Sequence, residues 1–261
     1  MFLLLLAPWF YGCLTATPYT LGFNKLPDSF DGFKIAVIAD LHSHRFGKGQ
    51  KKLMDRIIEQ RPDIVVLAGD IIDKGDKNIL NVRELLDGIS GVFPVYAIAG
   101  NHEMENSAQF SELLKAYSEF GVVFLDGQTV YLKRGDHQIA LSGQKSVYGD
   151  RYWAGQSDRP PGMNDFTILL YHFGNEFDKV PDWYDLVISG HVHGGIIRIF
   201  NRGMVGYNDK QKRSFFPKYS KGVYRKESGS IMVLSAGLGD TIMPRINNRR
   251  EIVVITLRVD K

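Results

Sequence analysis

Cysteine is almost absent from this chain: one residue, Cys13, in 261. A single thiol excludes an internal disulfide framework and a thiolate-built zinc cluster. Charge of one sign is scarce too. Lys and Arg number 32 against 29 Asp and Glu, a net charge of +3, with a pI of about 8.8. That excess is too weak to argue for a nucleic-acid partner. No Ser/Gly linker, block of like charge or internal repeat divides the sequence. Long apolar runs are missing as well. Residues 1–14 are apolar, but they include Pro8 and Gly12 and no Lys or Arg precedes them. A membrane-spanning helix needs about 20 apolar residues, and a signal peptide wants a basic start. Residues 1–14 are therefore read as a trimmed membrane anchor or a short apolar segment packed on the domain. Residues 15–261 are read as one domain.

What is present is concentrated. Of seven His, five fall in short motifs that stand in one order: Asp40-Leu41-His42, Gly69-Asp70-Ile71-Ile72-Asp73, Gly100-Asn101-His102-Glu103, Tyr171-His172-Phe173 and Gly190-His191-Val192-His193. Asp, Asn and His hold hard-to-borderline divalent metals through oxygen and imidazole nitrogen. Apolar, β-branched runs at 33–39, 63–68 and 95–99 read as buried strands. Helical spacing follows at 50–60, at Ile79, Val82, Leu85, Leu86 and Ile89, and at Phe110, Leu113, Leu114 and Tyr117 behind a cap at Asn106 or Ser107. The second half is strand-rich, at 122–125, 129–132, 138–142, 166–171, 186–189, 196–200, 230–234 and 252–259. Residues 151–161 and 201–219 read as long, substrate-facing loops. Asp40, Asp70, Asn101, His172 and His191 each close or follow a strand-like run. Ligands bind outside the carboxyl ends of strands in such sheets, so a two-metal hydrolytic site is the leading reading. Lys210, Lys212, Arg213, Lys218, Lys221, Arg225 and Lys226 crowd one stretch, which is either a solvated loop or a face toward an anionic substrate or membrane surface.

The full series Asp-x-His, Gly-Asp-x-x-Asp, Gly-Asn-His-Glu, a downstream His and Gly-His-x-His resembles the calcineurin-like metallophosphoesterases over roughly residues 33–259. Within them the chain is most similar to a bacterial branch of membrane-associated phosphodiesterases and UDP-diacylglucosamine hydrolases. Gly190-His191-Val192-His193-Gly194-Gly195, Phe216-Pro217-Lys218-Tyr219 and Pro244-Arg245-Ile246-Asn247-Asn248 carry that likeness. The resemblance implies a four-layer αββα sandwich of two mixed sheets, in an α+β or α/β class. It implies two divalent ions, of Mn, Fe, Zn or Co type. Asp40, His42, Asp70 and His193 would hold one and Asp70, Asn101, His172 and His191 the other, with Asp70 shared. A hydroxide bridging the metals would attack phosphorus in line. His102 would protonate the leaving group, and Asp73 would orient His102.

Lys74, Arg245 and Arg198 are the candidate cations for phosphoryl oxygens. Lys74 stands where related protein phosphatases have Arg, without the bidentate fork. His44, two residues past His42, is a candidate for the pocket lining. Glu103 reads as an orienting or helix-cap carboxylate and His137 as surface. Tyr148, Tyr152 and Trp153 read as core or lid packing, or as substrate stacking. Ile196 and Phe173-Gly174 depart from the branch at the substrate rim. The expected substrate is a phosphodiester, pyrophosphate or phosphomonoester, either a small molecule or a lipid-sugar phosphate of the cell envelope. The same likeness leads to an expected localisation at a bacterial membrane or envelope, with the cytoplasm as the alternative. A metal-dependent nuclease and a catalytically silent scaffold are the alternatives. Oligomeric state is not legible.

Overall fold

Two six-stranded sheets lie face to face in a computed structural model that describes residues 13–144, 165–208, 210, 212–239 and 243–260. The chain runs β1 (Leu14–Phe23), β2 (Lys34–Ile38), α1 (Lys51–Gln60), β3 (Ile64–Ala68), α2 (Leu80–Ser90), β4 (Val95–Ile98), α3 (Asn101–Glu105), α4 (Ser107–Glu119) and β5 (Val123–Phe124). It continues with β6 (Thr129–Arg134), β7 (His137–Gly143), β8 (Thr167–Phe173) and β9 (Leu186–Gly190). Four short strands follow, β10 (Arg198–Ile199), β11 (Arg202–Gly203), β12 (Val205–Tyr207) and β13 (Arg213–Phe215). The last three are β14 (Gly222–Arg225), β15 (Ile231–Leu234) and β16 (Arg250–Val259).

The first sheet has the order β1-β16-β2-β3-β4-β5 and the second β14-β15-β9-β8-β7-β6. Both are mixed: β2, β3 and β4 run parallel while β16 opposes β2, and β7, β8, β9 and β15 run parallel between antiparallel edges. Alternation of side chains along a strand explains the layering. Ile35, Val37 and Val66 face the inter-sheet core with Leu141, Ile168 and Ile188. Ala36, Ile38, Val65 and Leu67 turn the other way and pack under Leu53, Ile57, Leu85 and Leu113 of the helices. The outer face of the second sheet is covered by a 3₁₀ turn at Gly174–Lys179 and by aromatic residues such as Tyr184 and Tyr219. The expected sandwich is present, with unequal outer layers: α1, α2 and α4 pack on the first sheet.

The runs at 33–39, 63–68 and 95–99 form β2, β3 and β4. Asn106 caps α4, its side-chain oxygen accepting from Gln109 N–H at 3.3 Å. Two expectations need correction. The run at 196–200 narrows to Arg198–Ile199, because Ile196 takes a left-handed backbone (φ 53°). The loop expected at 201–219 carries the β12–β13 hairpin. The domain boundary expected at residue 15 falls one residue inside β1, which pairs in parallel with β16 along its whole length. Among the described residues no helix is long and apolar enough to cross a membrane. Tyr148, Tyr152, Trp153, the loop at 151–161 and residues 1–12 lie outside the described residues.

Candidate metal centre

The parallel strands deliver their C-terminal ends to one edge of the sandwich. Asp40 follows β2, Asp70 follows β3 and Asn101 opens α3 after β4. His172 sits near the end of β8, and His191 and His193 follow β9. Gly69 and Gly100 make that convergence possible. A Cβ on Gly69 (φ 87°) would fall 2.5 Å from His172 Nδ1, and one on Gly100 would fall 2.2 Å from Asp70 Oδ1.

Three groups of potential ligand atoms result, each with its atoms within 4.8 Å of one another: Asp40 with His42 and His193, His42 with Asp70 and His102, and Asp70 with His172 and His191. Asp70 belongs to two of them. Its Oδ1 accepts from His102 N–H at 2.8 Å, and its Oδ2 lies 3.2 Å from His172 Nε2 and 3.9 Å from His42 Nε2. Asp40 is fully buried, and both its oxygens accept from His191 N–H, at 2.8 and 3.1 Å.

The donor set fits a cation. His172 Nδ1 lies 2.8 Å from the Ala68 carbonyl, which can only accept, so Nδ1 carries the ring proton and Nε2 presents its lone pair. That lone pair faces a carboxylate oxygen. Among the described residues His172 Nε2 and Asn101 Oδ1 are buried without a hydrogen-bond partner. Two buried carboxylates and a bare imidazole nitrogen in one cleft are costly unless positive charge joins them. With only protons to balance the charge, burial pushes the His172 imidazole down but the Asp70 carboxylate overrides it, raising it to about 9. Burial pushes Asp40 up. Asp70 is held well below the usual carboxylate range, its histidine neighbours outweighing burial.

His102 sits at the margin of this group. Its Nδ1 accepts from the Lys74 backbone N–H at 3.1 Å and lies 3.1 Å from Asp73 Oδ2. The same Asp73 oxygen is 3.4 Å from His42 Nδ1, so one carboxylate touches two rings. The contact with His42 holds the Asp73 carboxyl well below its ordinary range. Burial lowers His102, against the pull of Asp70. Burial also opposes charge on His42, but its contact with Asp73 and the charge of Asp70 raise it.

The cations named from the sequence are placed differently. The Lys74 ammonium bonds to Glu105 at 2.9 Å, so its backbone, not its charge, meets His102. Arg245 is buried, donating to the carbonyls of Gly239 (3.0 and 3.2 Å) and Ala236 (2.7 Å), with Nη2 3.5 Å from His193 Nδ1. Arg198 donates to the carbonyls of Gly194 (2.8 Å) and Asn201 and to Ser220 Oγ at 3.2 Å. It lines a cavity of about 700 Å³ with Tyr19, Lys221 and Arg249. His44 packs edge-on against Phe46, ring centroids 4.8 Å apart, and lines a cavity that includes Lys52 and Arg56. Strand alternation does not reach it, because Asp40, His42 and Ser43 all have left-handed backbones (φ 49°, 47° and 50°).

Three supporting residues complete the centre. Glu103 accepts four backbone N–H groups: Asp70 at 2.9 Å, Ile71 at 2.7 Å, Ile72 at 3.1 Å and Gly100 at 2.7 Å. It ties the loop after β3 to the loop after β4. Gln144 joins His172 N–H (2.5 Å) to the Ala99 carbonyl (3.0 Å). Asn248 holds the carbonyls of His193 (2.7 Å) and Ile196 (3.1 Å). The Gly-Asn-His-Glu motif gave a signal for Glu103 and the Pro-Arg-Ile-Asn-Asn segment one for Asn248, but nothing local marks Gln144.

Comparison with known families agrees with this geometry. The calcineurin-like phosphoesterase family matches residues 33–195, and the chain belongs to that family. It is 31% identical over 255 residues to an uncharacterized metallophosphoesterase, YkuE, of Bacillus subtilis, covering 94% of this chain and 86% of that protein. It is 30% identical over 189 residues to the phosphodiesterase YaeI of Escherichia coli, covering 69% and 67%. A metallophosphoesterase of Aquifex aeolicus is 25% identical over 254 residues, covering 94% and 92%. The chain is a metal-dependent phosphoric ester hydrolase.

Proposed function

We propose that the protein hydrolyses a phosphodiester or pyrophosphate bond at a centre of two divalent cations. Asp40, His42, Asp70 and His193 hold one cation, and Asp70, Asn101, His172 and His191 hold the other. The observation that carries this reading is that Asp70 groups with His42 on one side and with His172 and His191 on the other, while His42 also groups with Asp40 and His193. A carboxylate with two oxygens can serve two cations about 3.5–4 Å apart. The mixed oxygen and imidazole donors suit Mn, Fe, Zn or Co better than Ca. When bound, such cations polarise phosphoryl oxygens and acidify a water enough to make it a nucleophile at neutral pH.

The protein's own side chains do the rest. His102, whose Nδ1 accepts from the Lys74 N–H so that the ring proton sits on Nε2, delivers that proton to the leaving oxygen, and the negative charge of Asp73 nearby favours a ring that carries it. Asp73 also steadies His42, coupling the acid to a metal-holding ring. Arg245 backs His193 at 3.5 Å and acts as a positioning residue. Among the described residues Lys74 is held by Glu105, and Arg245 and Arg198 donate to backbone carbonyls, which favours a diester over a phosphomonoester dianion. The relative from Escherichia coli named a phosphodiesterase supports the same choice. A lipid-linked envelope phosphoester is the substrate class we favour, on the basic stretch near residues 210–226.

The test is turnover of a chromogenic phosphodiester under Mn²⁺, with metal analysis of the same sample. Asp70→Asn is expected to lose about 10³-fold or more in turnover and to retain less metal. Wild-type protein without divalent metal, together with unchanged turnover in Asp70→Asn, sinks the reading.

A further inference from the structure

Two aromatic rings stand in solvent on backbone that does not suit them. Phe200 (φ 46°) and Phe216 (φ 52°) are left-handed, an outlier conformation for a bulky residue, and they are 96% and 63% exposed. Phe200 begins the two-residue turn between β10 and β11, a position that Asn or Gly normally fills. Phe215, next to Phe216, is 79% exposed, and Ile199 and Ile246 are exposed as well.

Hydrogen bonds hang these residues on one stretch. Arg198 N–H donates to the Ile246 carbonyl at 3.0 Å, Met204 N–H to the Ile197 carbonyl at 2.8 Å, and Phe216 N–H to the Met204 carbonyl at 2.9 Å. That stretch follows His193 directly. The β12–β13 hairpin that ends in Phe215 also carries Tyr207, whose ring lies 5.0 Å from the His191 ring. The apolar rim and the wall of the metal centre are therefore one piece of backbone.

Charge says what the rim meets. Of the nine Lys and Arg in residues 196–226, Lys218, Lys221 and Lys226 pair with Asp178, Glu251 and Asp182 and Arg198 donates to carbonyls, while Arg202, Lys210, Lys212 and Arg213 stand exposed beside the rim. Single exposed apolar side chains are ordinary, but here Ile199, Phe200, Phe215, Phe216 and Ile246 are all exposed on one hydrogen-bonded stretch. Protein interfaces are depleted in Lys, whereas exposed aromatics on a stretch that also exposes Lys and Arg fit an anionic bilayer.

We propose that this rim docks on an anionic lipid surface, with Phe200, Phe215 and Phe216 entering the headgroup–acyl boundary and the neighbouring cations meeting lipid phosphates. Docked this way, the metal centre opens toward phosphoesters presented at the membrane. That purpose rests on the hydrolase reading, but the docking does not.

The experiment is co-sedimentation with vesicles of phosphatidylcholine alone or with about a third phosphatidylglycerol. Binding is expected on the anionic vesicles only, weakening as salt rises. The double variant Phe200→Asn, Phe216→Asn is expected to bind roughly tenfold or more weakly. Asn accepts a left-handed backbone, so its unfolding midpoint and its turnover of a soluble phosphodiester should match wild type. No binding to anionic vesicles, or undiminished binding by the double variant, overturns the proposal. So does a wild-type dimer in light scattering that the variant abolishes without change in vesicle binding, which assigns the surface to a second copy. Vesicle binding without any phosphodiester turnover would instead defeat the hydrolase reading and leave the docking standing.

Discussion

Replacing Glu103 by Gln should destabilise the protein far more than its small chemical change suggests. Glu103 is buried, and its carboxylate accepts four backbone N–H groups: Oε2 takes Asp70 and Gly100, Oε1 takes Ile71 and Ile72. A Gln side chain has one acceptor oxygen. Whichever way its amide is turned, two N–H groups keep a partner and two face an NH₂. Hydrogen bonds to a charged group contribute about 1.5–3 kcal/mol each, so the loss of two is worth about 3–6 kcal/mol. Total stability is of order 5–15 kcal/mol. At a urea slope of about 3 kcal/mol/M the midpoint should fall by about 1–2 M.

Urea unfolding followed by circular dichroism, in chelator so that cations do not contribute, reads this directly. Glu105→Gln is the control. Glu105 pairs with Lys74 at the surface, and its loss should change stability by about 0.5 kcal/mol or less. A second series under saturating Mn²⁺ should show metal affinity weakened about 10–100-fold in Glu103→Gln, the usual cost of losing a support behind a metal ligand. If Glu103→Gln moves the midpoint no further than Glu105→Gln does, the four-fold clamp is not what holds these loops, and the account of the site's rigidity fails with it.

His102→Asn should cut kcat by about 10²–10⁴-fold while metal content stays at the wild-type level. A fall in bound metal would make His102 a ligand instead. Chelation should lower the thermal midpoint, and readdition of a metal at about 100 times its Kd should restore about 2.7 kcal/mol; a midpoint indifferent to chelator contradicts the metal centre. Tyr19 makes an alkaline prediction. Burial, helped by the Glu251 charge, pushes its hydroxyl up to about 12 from an ordinary value near 10. A raised value means stability is intact below pH of about 10 and is lost as pH climbs toward about 12. Tyr19→Phe should lose stability less steeply over that window in pH-stepped urea unfolding, and parallel curves would refute it.

The readable parts of the chain were those whose signal is local. An apolar β-branched run ending in a polar residue marks β2, β3 and β4 because burial on both faces needs no partner to be recognised. The ordered Asp, Asn and His residues then mark one edge. β1 escaped because it is an edge strand, mostly half-exposed and interrupted by Pro18, so that its identity depends on β16 pairing beside it. β12 and β13 escaped because three-residue strands carry too little periodicity. Which cations could face substrate was not legible for a related reason: residue type fixes charge, but only tertiary contacts show that Arg245 donates to Gly239 and Ala236. Gln144 was invisible, and the role of Asn248 within its motif unreadable, because both satisfy the backbone of residues far away in sequence.

The placement of the candidate ligands divides them into two kinds. Asn101 and His172 stand on regular structure, at the start of α3 and within β8. Asp40, His42, Asp70, His191 and His193 all hold left-handed backbones, with φ from 47° to 77°. Such conformations cost about 1–3 kcal/mol each and persist only where the surroundings dictate them. Here the surroundings are identifiable. Glu103 grips the N–H of Asp70, Asp40 grips the N–H of His191, and Asn248 grips the carbonyl of His193. Straight strands would carry these side chains to alternate faces, whereas left-handed turns fold them back toward one point. The strain and the convergence of these side chains thus have one cause, and the residues that hold the strained backbone are as necessary to that convergence as the candidate ligands themselves.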